Sequence, residues 1–317
     1  MAARCYACRV RLEFQVAAAE AGLTLAAALR RHVPGLAWSR AKGLCARGKV
    51  LVDGAALTDP ASRLAVGQTV VLDEHARDPT PPRVRIVFED AQVVVIDKPA
   101  GVSSVPYERR ETGTAMDLLR ATWRDAGRRA TQTPLLVVHR LDKETSGLLM
   151  FAKTKRAEAA LAAQLRTHAA QRTYLCVAHG RLAAGRLASR LVADRGDGLR
   201  GTTRRPAPGK DAVTHVKPLR LLRGATLCEV RLETGRTHQI RIHLSEAGHP
   251  VVGERVYVRD FLRAGHQPIP ATRLLLHAAA LSFTHPTAGT PVTLQAPPPP
   301  DFELAVESLQ PSRSSKG

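Results

Sequence analysis

Residues 139–154 read HRLDKETSGLLMFAKT. They follow an unbroken apolar run, residues 135–138 (LLVV), and contain a second one, residues 147–151 (GLLMF). Neither run alternates polar and apolar residues, so each is expected to be a strand buried on both faces. Between the two lie His139, Arg140, Asp142, Lys143, Glu144, Thr145 and Ser146. A polar insert of that density between two core strands has to surface at the end of a sheet, where binding and catalytic side chains are commonly presented. Taken alone, the stretch reads at least as well as a plain hairpin loop, with Thr-Ser-Gly as the turn and Asp142 capping it.

On the N-terminal side, residues 86–88 and 93–97 are expected to be strands, and Lys98-Pro99-Ala100-Gly101 a turn. Residues 114–123 are expected to be helical. On the C-terminal side, residues 154–168 have the apolar spacing of an amphipathic helix carried by Leu161 and Leu165. A strand at 174–178 follows, preceded by Arg172. Residues 194–210 are rich in Gly, Arg and Pro and read as a basic loop. Strands are expected at 213–222 and 226–232. The second polar-dense stretch, LETGRTHQIRIHLSEAGHPVVGE, begins at Leu232. If it is a strand, Thr237, Gln239 and Arg241 share one face and His238, Ile240 and Ile242 the other. Its histidines, His238 and His243, are five apart with no carboxylate at ligand spacing, so no metal is expected there. Strands at 274–278 and 291–295 close the domain. The prolines at 297–300 and the Ser-rich end read as a tail.

A length of 317 residues suggests two domains. Forty-seven Lys and Arg against 28 Asp and Glu give a net charge of +19. On a globular surface that excess predicts a polyanionic partner, nucleic acid first. Aromatic residues make up only 4%, which argues for recognition of phosphates and shape over stacking of many bases. Five scattered cysteines do not make a disulfide framework and fit a reducing cytoplasm. Cys5 and Cys8 form a lone CxxC, whereas a structural zinc site needs four ligands. No apolar run reaches membrane-spanning length, so no membrane partner is expected.

The expected organisation is an N-terminal tail at 1–12, a small domain at 13–75, a proline-bearing linker at 76–83, a large domain at 84–303 and a C-terminal tail at 304–317. In the small domain, Thr24 caps a short helix, and a second helix starts near Ser39 and stops at Gly48. Six basic residues and no acidic one lie between Arg30 and Lys49. Arg40 and Arg47, seven apart, share a helix face. Asp53-Gly54 signals a type I′ hairpin. This module resembles the small RNA-binding domain of ribosomal small-subunit protein S-four, through Ser39-Arg40, Gly48, Val50, Val52, Gly54 and Gly67. Asp53 stands where many members have Asn. The resemblance implies RNA contacts from Arg40, Lys42, Arg47 and Lys49.

Five blocks of the large domain resemble the RluA family of RNA pseudouridine synthases. They are IDKPAG at 96–101, HRLDKETSGLLMFAKT at 139–154, RTYL at 172–175, TGRTHQIRIHL…GHPVVGE at 234–254 and LLLHAAALSFTHP at 274–286. The resemblance implies an α+β fold, with a large mixed, mostly antiparallel sheet and a central cleft, plus a small N-terminal α/β RNA-binding domain. It implies an isomerase that converts uridines of structured RNA, 23S rRNA first and tRNA as the alternative, to pseudouridine. Asp142 matches the catalytic aspartate, Tyr174 the active-site tyrosine and Arg241 the arginine paired with that aspartate. Arg140 matches the residue that enters the space left by the flipped base. His139, Arg236 and Lys98, within the same blocks, are further expected RNA contacts. Arg172 stands where many members have Lys. The reaction is redox-neutral, so no cofactor and no metal are expected, and the chain is expected to act as a monomer.

Chemistry supports those assignments. Moving uracil from a nitrogen to a carbon link on ribose calls for a nucleophile, and an ionised carboxylate serves. In a dry pocket a carboxylate tends to protonate, and a fixed guanidinium favours its charged form. Two readings compete with the enzyme. A non-catalytic RNA-binding or ribosome-assembly protein on the same fold would lack Asp142, Tyr174 or Arg241, yet all are present. A glycosidase using Asp142 and Glu144 would need them to flank a sugar, which an i, i+2 spacing does not provide.

Overall fold

The computed structural model describes residues 11–75, 83–106, 111–128, 133–203 and 208–311. Cys5 and Cys8, linker positions 76–82 and the final residues 312–317 lie outside the described residues. The chain divides into two compact units, Met1–Pro81 and Pro82–Gly317.

The first unit runs β1 (Arg11–Gln15), α1 (Leu25–His32), α2 (Trp38–Ala46), β2 (Val50–Val52), β3 (Ala55–Ala56) and β4 (Thr69–Asp73). Its antiparallel sheet has the order β1-β4-β2-β3. The expected tail at 1–12 needs correction at its end, because Arg11 and Leu12 pair with Asp73 and Leu72. Thr24 accepts the Ala27 N–H at 3.3 Å and so starts α1. Leu25 and Leu29 from α1, Leu44 from α2, and Val50, Val70 and Leu72 from the sheet are buried together. Asp53 and Gly54 both have positive φ, 51° and 80°, as a type I′ turn requires. The Asp53 carboxylate accepts from Thr69 N and Gln68 Nε2, both at 2.9 Å. Here the acid serves the turn, tying the hairpin to β4.

The second unit contains β5 (Arg85–Glu89), β6 (Val93–Lys98), α3 (Ala115–Asp125), β7 (Leu136–Val137), β8 (Ser146–Ala152), α4 (Lys155–Arg166), β9 (Gln171–His179), β10 (Gly185–Leu191), β11 (Lys210–Leu222), β12 (Ala225–Leu232), α5 (Gln239–Glu246), α6 (Arg259–Arg263), β13 (Leu276–Thr284), β14 (Pro291–Gln295) and α7 (Pro300–Ser308). Ten strands form one mixed sheet of order β10-β11-β12-β9-β13-β8-β6-β5, with β14 beside β13 and β7 beside β8. Its pairings are antiparallel except β13 with β8.

All seven residues of β8 are buried. One face, with Leu149 and Phe151, packs on Leu118, Leu119 and Trp123 of α3. The other, with Leu148 and Met150, packs on Ala157 and Leu161 of α4. Helices on both faces account for the absence of alternation in GLLMF. The preceding run, LLVV, is a correction. Only Leu136 and Val137 pair, and Val137 is exposed. The second edge of β8 is shared, with β13 at Ser146 and Gly147 and β7 at Phe151 and Ala152, so little of it is left for β7. Gly147 has φ 108°, and a side chain there would collide with the Ala278 carbonyl across the parallel pairing.

Two further expectations fail. The stretch around Gln239–Glu246 is a helix, not a strand, and all its residues from Gln239 to Leu244 are buried. The tail expected from 304 onward, preceded by prolines 297–300, instead includes α7. Pro300 sits in its first turn, and Phe302, Val306 and Leu309 bury one face against Val177, Leu222 and Leu275.

Candidate active site

Asp142 lies in the loop that leads into β8. Its backbone is gripped on both sides. The Ser104 hydroxyl donates to Leu141 O at 2.7 Å and accepts from Leu141 N at 2.9 Å. Lys98 Nζ donates to Lys143 O at 3.1 Å, and to Pro99 O and Val102 O at 2.9 and 2.7 Å. Thr145 N closes a turn on Asp142 O. A side chain that must act at one atom gains from such a fixed backbone.

Lys98 was expected to contact RNA. It is fully buried, and its ammonium is spent on three carbonyls, so it serves as an internal strut. Burial pushes its pKa down to about 7, against the opposing charges of Glu144 and Asp142. The carbonyls supply the hydrogen bonds that make burying it tolerable.

Arg241 enters from α5, which places its guanidinium beside the loop. Its Nη1 stands 3.7 Å from Asp142 Oδ2. The expected Arg241–Asp142 pair is therefore present as a loose contact, and the tight partner is Glu254. Arg241 Nε and Nη2 donate to Glu254 Oε2 and Oε1 at 2.7 and 2.8 Å. Glu254 Oε1 also accepts backbone N–H groups of Arg255, Val256 and Tyr257. Burial alone would raise the Glu254 carboxyl, but the Arg241 hydrogen bonds and charge hold it below the ordinary carboxylate range. The guanidinium also lies over the Tyr257 ring, 5.4 Å from its centre. Arg241 is thus locked in place with Nη1 left over to face Asp142.

His238 precedes α5 in the left-handed region, with φ 59°. Its Nδ1 shares a hydrogen bond of 2.7 Å with the Tyr257 hydroxyl, and its Nε2 stands 3.9 Å from Asp142 Oδ1. Burial lowers its pKa, with Asp142 opposing and Arg241 reinforcing, so at neutral pH the ring is uncharged. Tyr174, on β9, is buried and lines the same inner pocket as Asp142, Thr145 and Arg241. Burial raises its pKa, Asp142 adds to the rise, and Arg172 opposes it. The phenol is therefore protonated at neutral pH and is no resting base.

The inner pocket, of about 60 Å³, opens on a cleft of about 1080 Å³. Arg140, Arg166, Arg172, Arg200 and Arg236 line the cleft wall, with Lys143 and His168. Arg140 and Arg236 are exposed, and Arg236 Nε donates to Asp211 O at 3.0 Å. His139 also lines the cleft, but its Nε2 accepts from Met150 N at 3.2 Å, and burial followed by Arg172 lowers its pKa to about 3. It is therefore a neutral ring at the cleft, with its proton on Nδ1. Glu144 is not among the residues lining the cleft, so two carboxylates do not face each other there.

In the first unit, Arg40 is exposed and paired with Glu74 at 3.0 Å. Lys42 and Arg47 are exposed and Lys49 is half-buried. Two residues along an α-helix turn by about 200°, so Lys42 does not share the face of Arg40 and Arg47. The expected basic contacts are divided around α2.

Sequence reading missed Glu254 and Tyr257. Glu254 stood within a quoted block, but its partner is thirteen residues away and no local spacing marks the pair. Among the described residues, no three His, Cys, Asp or Glu side chains cluster as metal ligands, and no helix is long and apolar enough to cross a membrane.

Residues 92–246 match the family described as RNA pseudouridylate synthase. The ribosomal large subunit pseudouridine synthase D of Xanthomonas campestris is 36% identical over 307 residues, covering 92% of this chain and 90% of that protein. The protein of the same name from Zymomonas mobilis is 35% identical over 300 residues, covering 91% and 94%. The solved structure of human RNA pseudouridylate synthase domain containing 1 superposes with a TM-score of 0.55 at 24% identity, over 69% of this chain and 85% of that one, and so shares its fold. An aspartate held beside a locked arginine in a basic cleft thus sits in a chain similar to these enzymes over nearly its whole length, and the chain belongs to the RNA pseudouridine synthase family.

Proposed function

We propose that this chain converts uridines of large-subunit ribosomal RNA to pseudouridine, acting as a monomer in the cytoplasm. The observation that carries the reading is the Asp142–Arg241–Glu254 arrangement at the bottom of an arginine-lined cleft. The relatives named for the large ribosomal subunit support that RNA over tRNA.

A uridine in folded RNA has to leave its stack to reach Asp142, at a cost of a few kcal/mol. Arg140, exposed at the cleft two residues before Asp142, fills the gap and offsets part of that cost. The Asp142 carboxylate then attacks C1′ of the ribose, and the bond from C1′ to N1 breaks with its electron pair on uracil. Uracil turns, C5 bonds to C1′, and the carboxylate is released. The proton on C5 is lost and N1 gains one, so atoms and electrons balance without any redox partner. Arg241 keeps a positive charge fixed near the carboxylate, and Glu254 keeps Arg241 from swinging away. Tyr174, neutral and buried, forms a wall that stacks on or orients the detached base. The small unit adds phosphate contacts through Arg40, Lys42 and Arg47, and sets affinity more than chemistry.

Mapping pseudouridines in total RNA from a strain lacking the gene, against its parent, tests the reading. Loss of one or more sites in large-subunit rRNA is expected. Loss confined to tRNA would overturn the RNA assignment. Loss of no site would favour a non-catalytic RNA-binding protein.

A further inference from the structure

Arg172 stands out among the cleft arginines because part of its guanidinium is buried without a partner, whereas Arg140, Arg166, Arg200 and Arg236 are exposed. Among the described residues its guanidinium makes no hydrogen bond and no ion pair, and its Nε is buried without a partner. Buried polar atoms are partnered in about nine cases of ten, so a half-buried guanidinium whose Nε is hidden without an acceptor is an exception that asks for one. Such a group calls for an anion that arrives from outside.

Its position says which anion. Arg172 and Tyr174 are two apart on β9, so both side chains leave the same face of the sheet, one step apart. Arg172 lines both the large cleft and the inner pocket that holds Asp142 and Tyr174, and therefore sits where one opens into the other. Gly235 lies against the guanidinium, and a methyl group there would come within 2.5 Å of Arg172 Nη1. The absence of a side chain at 235 is what leaves the guanidinium its place.

A second unused donor lies nearby. His139 Nε2 accepts from Met150 N, which leaves the ring proton on Nδ1, and Nδ1 is buried without a partner. Burial first and the Arg172 charge second lower the His139 pKa, so the ring stays neutral beside the guanidinium. Two N–H donors, one cationic and one neutral, thus line the cleft next to the base pocket with no acceptor of their own.

We propose that Arg172, assisted by His139 Nδ1–H, seats the backbone phosphate adjoining the extruded uridine, and so positions the ribose over Asp142. The inference rests on the reading that this cleft takes an RNA uridine. Planar guanidinium geometry suits two phosphate oxygens at once. Anchoring the phosphate next to the reacting sugar fixes C1′ in a way that contacts to distant phosphates do not. Arg172 is thus a positioning residue, and the chemistry remains with Asp142.

The test uses the full chain and an unmodified transcript of large-subunit rRNA as probe. Binding is measured at several salt concentrations, with kcat and KM, for wild type, Arg172→Gln, Arg172→Lys and Gly235→Ala. Arg172→Gln is expected to raise KM several-fold and lower kcat, and its log K against log[salt] slope should fall by about 0.7–0.9, one phosphate contact. Arg172→Lys should keep the slope and lose part of kcat. Gly235→Ala, which leaves the net charge alone but crowds the guanidinium, should shift in the direction of Arg172→Gln. An unchanged slope in Arg172→Gln with lowered kcat would mean a contact to a base carbonyl and would overturn the proposal. An unchanged slope with a lowered melting temperature in both arginine variants would mean a packing role and would also overturn it. Wild-type conversion of the transcript is read separately, so a wrong choice of RNA shows up there and not in the slope.

Discussion

Two arginine–glutamate pairs, one in each unit, show what burial does to the same chemistry. Arg241 and Glu254 have side chains 8% and 0% exposed, meet through two hydrogen bonds, and share the carboxylate with three backbone N–H groups. Arg40 is 53% exposed and reaches Glu74 through Nη2 alone, at 3.0 and 3.3 Å. The first pair can hold a position to a fraction of an ångström, because neither member has water to turn to. The second is screened and exchangeable. The difference suits their places. A catalytic loop needs a charge that stays put, whereas an arginine proposed to meet RNA has to leave its carboxylate for a phosphate at little cost.

The comparison breaks most visibly at Glu254. Glu254→Ala strands the Arg241 charge in the interior, and removing one partner of such a pair costs about 3–5 kcal/mol. Urea denaturation should show a loss in that range, and pseudouridine formation should collapse even where the variant folds. The pair also has a pH signature. The folded Glu254 carboxyl titrates below its unfolded value of about 4.3. Its contribution to stability is therefore complete above that pH and disappears as pH falls through the folded value. A stability loss from Glu254→Ala that stays constant down to pH 2 would contradict this.

A smaller effect is expected at Lys98. Lys98→Met takes the donor from three carbonyls that hold the Asp142 loop. Leaving these acceptors unmatched is destabilising, but removing a buried ammonium relieves its desolvation cost, so the net loss is expected to be about 1–3 kcal/mol. The folded Lys98 pKa of about 7 lies below the unfolded value of about 10.4. Between the two the unfolded chain binds more protons, so the wild type gains stability from this residue as pH rises across that window. The variant should lack that slope, and parallel wild-type and variant curves between pH 7 and 10 would show that Lys98 does not titrate there.

The smallest effect belongs to the exposed pair. Arg40→Ala should change stability by less than about 1 kcal/mol. On the proposed role it should weaken RNA binding modestly, uniformly across sequences, and most at low salt. A stability loss approaching that of Glu254→Ala would erase the contrast between the two units.

The strands and helices that face two different neighbours were legible before the fold was seen. GLLMF had the length and composition of a core strand, and the residues capped by Thr154 had a helical period. Gln239–Glu246 was not legible as a helix because it is buried nearly all round. With no polar face, its alternating Gln-Ile-Arg-Ile-His pattern imitates a strand over so short a run. α7 carried a readable signal, Pro300 at its first turn with Asp301 and Glu303 after it, but the preceding prolines pointed to a tail. At the site, Asp142, Tyr174 and Arg241 could be named from motif resemblance. What could not be read was the tertiary pairing that fixes Arg241 beside Asp142. Lys98 looks like a surface lysine until its carbonyls are seen, and Glu254 has no local partner. Arg172 is distinguished by an Nε that folding buries without an acceptor.

The most direct test of the account is the fate of Asp142→Asn, a change that removes the carboxylate charge and nucleophile while keeping the shape of the side chain. The account predicts that pseudouridine formation in large-subunit rRNA transcripts falls to background, while affinity for the same RNA stays within a few-fold, because binding comes from many phosphate contacts and not from one carboxylate. Turnover near the wild-type rate in Asp142→Asn would contradict it.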